Sequence, residues 1–209
     1  MTNNLENLSA RERQAIQTRK KLIEAGRETF IENGFQKATI SQIIKKANTG
    51  YGTAYVYFKN KDDLFIILME EVMGQFYKIA ERTFSPTSKE EAHNLISKQV
   101  RSFLELAIEE KEIMNIVKEA LGISSEVEEK WNKIRERFIE RISVDIRFSQ
   151  RNGLATTSFN SALVARGWYY ANEMFMWDCV KGDHLFIEDV IDNLTNLYMN
   201  GLYDNSCSS

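Results

Sequence analysis

Proline occurs once in the 209 residues, at Pro86, glycine only ten times, and no Ser/Gly-rich tract interrupts the chain. So few breakers leave room for long helices and little for a strand-rich fold with its many turns. Cysteine is as scarce. Cys179 stands in an apolar run and Cys207 near the end of the sequence, which excludes a disulfide framework and any metal-type spacing. No uncharged apolar run approaches the roughly 18 residues that a membrane span needs, and the polar start MTNNLENLSARERQ lacks the apolar core of a signal peptide. The expectation is a cytoplasmic protein without a membrane partner, in which Asn7-Leu-Ser9 and Asn193-Leu-Thr195 carry no glycan. The two histidines, His93 and His184, fall on different predicted helices with no nucleophile to pair with, and no phosphate loop appears. No catalytic residue, metal or cofactor is expected, and the chain is read as a non-enzyme.

What is present is apolar content and an uneven charge. Hydrophobic residues make up 43% of the chain, enough for a core in one large domain or in a small domain joined to a larger one. Through residue 61 eleven Lys and Arg stand against five Glu, a net of +6; the remainder holds sixteen basic and twenty-five acidic residues, a net of −9 within an overall −3. A basic head on an acidic body points to a polyanion at one end.

Helix boundaries are legible in the capping residues. Ser9-Ala-Arg-Glu12 is a capping-box pattern, in which a hydroxyl and a Glu three residues later satisfy exposed N–H groups reciprocally. A first helix begins there, carries Ile16, Ile23, Gly26, Phe30 and Ile31 at helical spacing, and closes near Asn33 with Gly34 in the left-handed region. Thr39-Ile-Ser-Gln42 repeats the box and opens a short helix to about Ala47. Asn48, Thr49 and Gly50 suit a turn, and a second short helix runs from Tyr51 to about Phe58. Asn60 caps a long helix bearing Leu64, Phe65, Leu68, Val72 and Phe76, with Asp62 and Asp63 at the positive end of its dipole. Beyond Ser85-Pro86, helices are expected from Ser88 to Glu110, Glu112 to Leu121, Ser125 to Asn152, Ser158 to Val180 and His184 to Asn200. The fold class is all-α, with about nine helices: a three-helix head over residues 1–61 and a helical body over 62–209.

Two short helices joined by a three-residue turn behind a longer helix outline a helix-turn-helix. On the second short helix, at about 100° per residue, Ala54 and Phe58 share the face that packs on Ile43 and Ile44. Gly52, Thr53 and Val56 lie opposite, flanked by Tyr55 and Tyr57, while Tyr51 sits at the edge between the two faces. Small residues between phenols suit a DNA major groove: Gly52 lets the backbone approach, and a tyrosine hydroxyl donates to a phosphate oxygen. Lys37, Lys59 and Lys61, with Arg11, Arg13, Arg19, Lys20 and Lys21, are placed to engage the flanking backbone.

From Thr18 to about Phe65 the sequence resembles the DNA-binding domain of the TetR family of bacterial transcription regulators, through AGRETFIENGF, ATISQIIKKA and GTAYVYFKNKDDLF. The resemblance implies that Thr39, with Ser41 and Gln42 beside it, and Tyr51, Gly52, Thr53, Tyr55, Val56, Tyr57 and Lys61 form the surface on double-stranded operator DNA. The turn departs from the family pattern: Asn48 replaces the usual Gly, Thr49 an apolar residue, Gly50 a Ser cap and Tyr51 a frequent Lys. The operator of a relative therefore does not transfer.

A single short helix reads a few base pairs at roughly 1–3 kcal/mol each, too little to find one genomic site, so a homodimer on a palindromic operator is expected. The last two helices are the candidate interface, through Phe175, Trp177, Phe186, Val190, Ile191, Leu194, Leu197 and Tyr198. The resemblance also implies an effector pocket in the body, for which Phe103, Met114, Trp131, Arg135, Phe138, Trp168, Tyr169, Asn172 and Met176 are the candidates. Asn172 and Glu173 interrupt the apolar run WYYANEMFMW, and with Arg135 and Arg166 they face either a pocket or the outside. The expected protein is a ligand-responsive regulator, a repressor released by a small, largely apolar effector; the alternative is an all-α small-molecule-binding protein with a vestigial DNA-binding head.

Overall fold

The computed structural model describes residues 9–182 and 186–203. Among them all regular structure is helix: α1 (Ala10–Lys37), α2 (Ile40–Lys46), α3 (Tyr51–Tyr57), α4 (Lys61–Ala80), α5 (Lys89–Glu109), α6 (Lys111–Leu121), α7 (Ser125–Arg151), α8 (Ser161–Lys181) and α9 (Ile187–Leu202). The expected helix start at His184, Cys207 and Asn7 lie outside the described residues. None of the described helices is long and apolar enough to cross a membrane.

The capping signals place most boundaries. Ser9 and Thr39 both make the full reciprocal box, with Glu12 and Gln42 respectively. The hydrogen bonds from Ser9 hold the Glu12 carboxyl below its ordinary range. Asn60 Oδ1 accepts from the Asp63 N–H at 2.7 Å, while the Asp63 carboxylate accepts from the Lys59 N–H at 3.1 Å, so two backbone donors at the start of α4 are satisfied by side chains. Two starts shift. α7 is capped by the Ser124 hydroxyl, which accepts from Val127, rather than by Ser125. α8 begins at Ser161 instead of Ser158, because the Asn160 side chain accepts from both Ala162 and Leu163 whereas Ser158 is bonded back to Thr156.

The helices form two compact units. The first comprises residues 1–71 and 115–130, the second 72–114 and 131–209. α4, α6 and α7 each contribute residues to both.

In the first unit α1, α2 and α3 pack on one another, and Leu22, Phe30, Phe35, Ile43, Ile44, Ala54, Phe58, Leu64 and Phe65 fill the centre, all nearly without solvent contact. Phe30, Phe35 and Phe65 form a three-ring cluster with centroids 4.9–5.9 Å apart. Such pairs contribute about 0.5–1.5 kcal/mol beyond their buried area. α4 lies so close to α1 that a Cβ added at Gly26 would stand 2.3 Å from Leu64 Cδ2, so any larger residue there would force the buried Leu64 side chain to move. In the second unit α5 packs on α8 and α9, which pack on each other. Its interior includes Phe76, Val100, Leu104, Ile134, Phe138, Ile146, Tyr169 and Met176.

Candidate nucleic-acid interface and effector cavity

The turn between α2 and α3 has a defined hydrogen-bond pattern. Asn48 N–H donates to Lys45 O at 3.1 Å and Thr49 N–H to Ile44 O at 3.2 Å, the two bonds of a Schellman C-cap, and Asn48 takes the positive φ of 50° that the motif needs. Asparagine tolerates that conformation better than most non-glycine residues, which explains how the turn dispenses with the family's glycine. Thr49 is the weak point, since its Oγ1 is buried without a hydrogen-bond partner. Gly50 caps α3 by backbone alone.

On α3, Ala54 and Phe58 are buried and anchor the helix. Tyr51, Gly52, Thr53, Tyr55 and Val56 are exposed, Val56 to 78%, and Tyr57 is half-buried with its ring 6.3 Å from that of Phe58. The position left open by periodicity, Tyr51, thus falls on the outside. Beyond its chain neighbours and the helix's own backbone, no heavy atom lies within 4 Å of where a Gly52 Cβ would stand, so the glycine leaves the backbone bare towards solvent. Thr39, Ser41 and Gln42 at the start of α2 are exposed too, but Gln42 Oε1 accepts from the Thr39 N–H and hydroxyl as part of the capping box. Arg11, Arg13, Arg19, Lys20, Lys21, Lys37 and Lys59 are all exposed. Lys46 instead pairs with Glu28 and Glu32, and those carboxylates raise its pKa.

Lys61 is committed elsewhere. Its ammonium donates to the carbonyls of Phe35 (2.7 Å), Gln36 (3.2 Å) and Ala38 (3.1 Å) and lies 4.6 Å from the centre of the Phe35 ring. An ammonium has three donors, and here all three serve the α1–α2 junction. The same junction is gripped from the other side by Glu119 at the end of α6, whose carboxylate accepts from the Phe35 and Gln36 N–H groups, each at 3.0 Å. Gly34 makes room for it: at φ 73° it kinks α1, and an added Cβ would meet Glu119 Oε2 at 2.9 Å. The break falls where the sequence places the stop, just after Asn33; a further short helical stretch follows it to Lys37, and the Ala38 N–H donates to Gly34 O at 3.2 Å.

The second unit holds a cavity of about 80 Å³. Of the nine pocket residues expected from sequence, Phe103, Phe138, Trp168, Tyr169 and Asn172 line it. Met114 and Met176 are instead buried core, Trp131 donates its indole N–H to Glu173 at 2.8 Å, and Arg135 donates its Nε to the same carboxylate at 2.9 Å. Arg135 thus balances the charge of the one acid buried on α8 and Trp131 completes its hydrogen bonding, and neither residue lines the cavity. Arg166 pairs with Glu136 near the surface. Sequence reasoning missed Phe76, Ile79, Ile96, Gln99, Val100, Arg141, Ile142 and Asp145, which also line it. Arg141 and Asp145 are i,i+4 on α7 and have the signature of a solvated surface pair, yet Nη2 meets Oδ1 at 2.8 Å at the cavity wall. Burial pushes the Asp145 carboxyl up to about 7, outweighing the Arg141 charge that pulls it down.

Of the eight residues expected at a dimer interface, Phe186 and Leu197 are more than 70% exposed, while Phe175, Trp177 and Tyr198 are partly covered. Val190, Ile191 and Leu194 are buried within the protomer, Ile191 completely. Tyr198 stacks on Trp168 at 4.2 Å and Trp177 packs near Trp131 at 5.5 Å. The exposed apolar set on α8 is Leu163, Tyr170 and Met174, a stripe at helical spacing.

Residues 22–67 match the family model for bacterial regulatory proteins of the tetR family, and residues 96–204, more than half of the chain, match that for the C-terminal domain of the transcriptional regulator EthR. The chain belongs to the TetR family. The TetR family consists of transcriptional regulators and not of enzymes. The chain is 42% identical over 79 residues to the fatty acid metabolism regulator protein of Bacillus subtilis, a match that covers 37% of this chain and 41% of that protein, about two-fifths of the relative's length. It is 27% identical over 137 residues to the regulator QacR of Staphylococcus aureus, covering 64% of this chain and 71% of that one. Among solved structures, a TetR-family regulator from Syntrophomonas wolfei shares the fold with a TM-score of 0.74 at 18% identity, over 92% of this chain and 98% of that one.

Proposed function

We propose that this TetR-family protein is a repressor that binds a palindromic operator as a homodimer and is released by a small, largely apolar effector, with residues 1–61 reading DNA and the remainder binding effector and partner. The observation that carries the DNA reading is the outer face of α3. A helix that buries Ala54 and Phe58 and leaves Tyr51, Gly52, Thr53, Tyr55 and Val56 to solvent presents small and apolar groups between phenol rims, the shape and chemistry that a major groove accepts. Val56 suits a thymine methyl, and the exposed basic residues of α1 suit phosphates.

Dimerisation is supported by Leu163, Tyr170, Met174, Phe186 and Leu197, an apolar set on and beside α8 and α9 that a lone protomer leaves in water. Effector control is supported by the cavity itself. At about 80 Å³ it is smaller than the roughly 150 Å³ site that admits benzene, so an effector must push its walls apart. A ligand that binds only an opened form shifts the population towards that form, and α4, which lines the cavity with Phe76 and Ile79, is the same helix that begins at Lys61.

A band-shift titration against the DNA upstream of the protein's own gene tests the reading. The protein should form a sequence-specific complex there, and Val56→Glu should remove it while leaving the circular dichroism spectrum unchanged. Absence of any specific complex, on that DNA or in a selection from genomic fragments, would refute DNA regulation.

A further inference from the structure

We propose that the cavity takes an amphiphile with one carboxylate head, seated on Arg141 in place of Asp145, and that the head acts through this guanidinium on the C-terminal end of α4. The proposal rests on the effector reading above and adds the chemical class to it.

The cavity wall is apolar along Phe76, Ile79, Ile96, Val100, Phe103 and Phe138, and its charged lining is the pair Arg141 and Asp145. An ion pair walled by such surface gains little over apolar residues of the same size, so stability alone does not account for it. Arg141 also donates from Nε to the carbonyl of Ala80 at 3.2 Å. Ala80 is the last residue of α4, where carbonyls have no partner within the helix. One guanidinium thus joins the cavity wall to the end of α4.

Charge balance selects the head group. A cationic head beside Asp145 would leave two positive charges against one carboxylate in a space of low polarity. A carboxylate head on Arg141 needs only that Asp145 become neutral, and burial has already brought that carboxyl to about 7. Tyr198 and Tyr203 feel the Asp145 charge and are both held protonated by burial; α5 and α8 bring Gln99, Trp168, Asn172 and Tyr169 to the lining, and burial holds the Tyr169 phenol protonated too. On binding, the Asp145 carboxylate leaves Nη2, takes one proton from solvent, and the ligand carboxylate takes its place. The guanidinium then turns towards the ligand, and its hold on Ala80 changes.

Calorimetry of the full chain near pH 7 with decanoate, decan-1-ol and decyltrimethylammonium, each in two buffers of different ionisation enthalpy, tests this. Decanoate should bind most tightly with net proton uptake. Arg141→Met should weaken decanoate at least about ten-fold and leave decan-1-ol unchanged. Should that variant fail to fold by circular dichroism, Arg141→Lys replaces it, with the same selective loss expected, because a lysine cannot present the bidentate fork. Tighter binding of decyltrimethylammonium, or decanoate affinity unchanged in the folded Arg141 variant, would overturn the proposal. Binding of decan-1-ol without decanoate would overturn the carboxylate class and leave the effector cavity standing; no binding of any probe would bring down the cavity reading and this proposal with it.

Discussion

The two units of this TetR-family protein treat buried polar groups in opposite ways. In the first, charged side chains close off the backbone: Lys61 holds three carbonyls and Glu119 two N–H groups of one junction, and capping boxes start α1 and α2. In the second, a charged pair is placed at the wall of a cavity, where burial holds its acid near neutrality. The first arrangement fixes one backbone geometry, as a surface that must match DNA requires. The second leaves a group whose charge can change at low cost, as the proposed effector site would require.

The comparison is broken most severely by Phe65→Ala. Losing one ring from the Phe30–Phe35–Phe65 cluster should cost about 3–5 kcal/mol and abolish operator binding, read by thermal unfolding and band shift together. A variant that binds DNA normally would show that α1–α3 need not be rigid.

Asp145→Asn probes the second unit. A carboxyl whose folded pKa is raised binds its proton more tightly in the native than in the unfolded state, so its contribution falls as pH rises from the unfolded value near 3.8 to about 7 and is level above that. Each tenfold difference in proton affinity between the two states corresponds to about 1.4 kcal/mol. The parent should therefore lose stability between pH 5 and 7, and Asp145→Asn should flatten that slope in chemical denaturation.

Lys61→Met separates structural from DNA-contacting cations. It should lower stability by about 1–3 kcal/mol and weaken operator binding while leaving the salt dependence of binding unchanged. Lys59→Met should do the reverse, reducing the log–log salt slope by about 0.9 with no change in melting temperature. A reduced slope for Lys61→Met would mean that its ammonium leaves the junction for a phosphate.

The smallest effect should come from Thr49→Val. Replacing a buried hydroxyl without a partner by an isosteric methyl should raise stability by about 1 kcal/mol, seen as a higher melting temperature.

The helices, their order and the outward face of α3 were legible in the sequence because each depends on neighbours within a few residues. Ser9, Thr39 and Asn60 cap as their patterns predict, and the 100° periodicity that sends Ala54 and Phe58 inward also sends Val56 out. The sequence also carried the positive φ of Asn48 and the family resemblance. It could not decide partners that lie far along the chain. Lys61 looked like a phosphate contact until the carbonyls of residues 35, 36 and 38 were brought around it. Trp131 and Arg135 looked like pocket residues until Glu173 took both. Nothing in the sequence singled out Arg141 and Asp145, which meet a cavity only because α4, α5 and α8 bring the rest of its lining around them. Local hydrogen bonding and periodicity are written in short stretches of sequence. Which charge meets which backbone group across some 25 to 85 residues is settled only when packing brings helices together and removes the water that would otherwise have served instead.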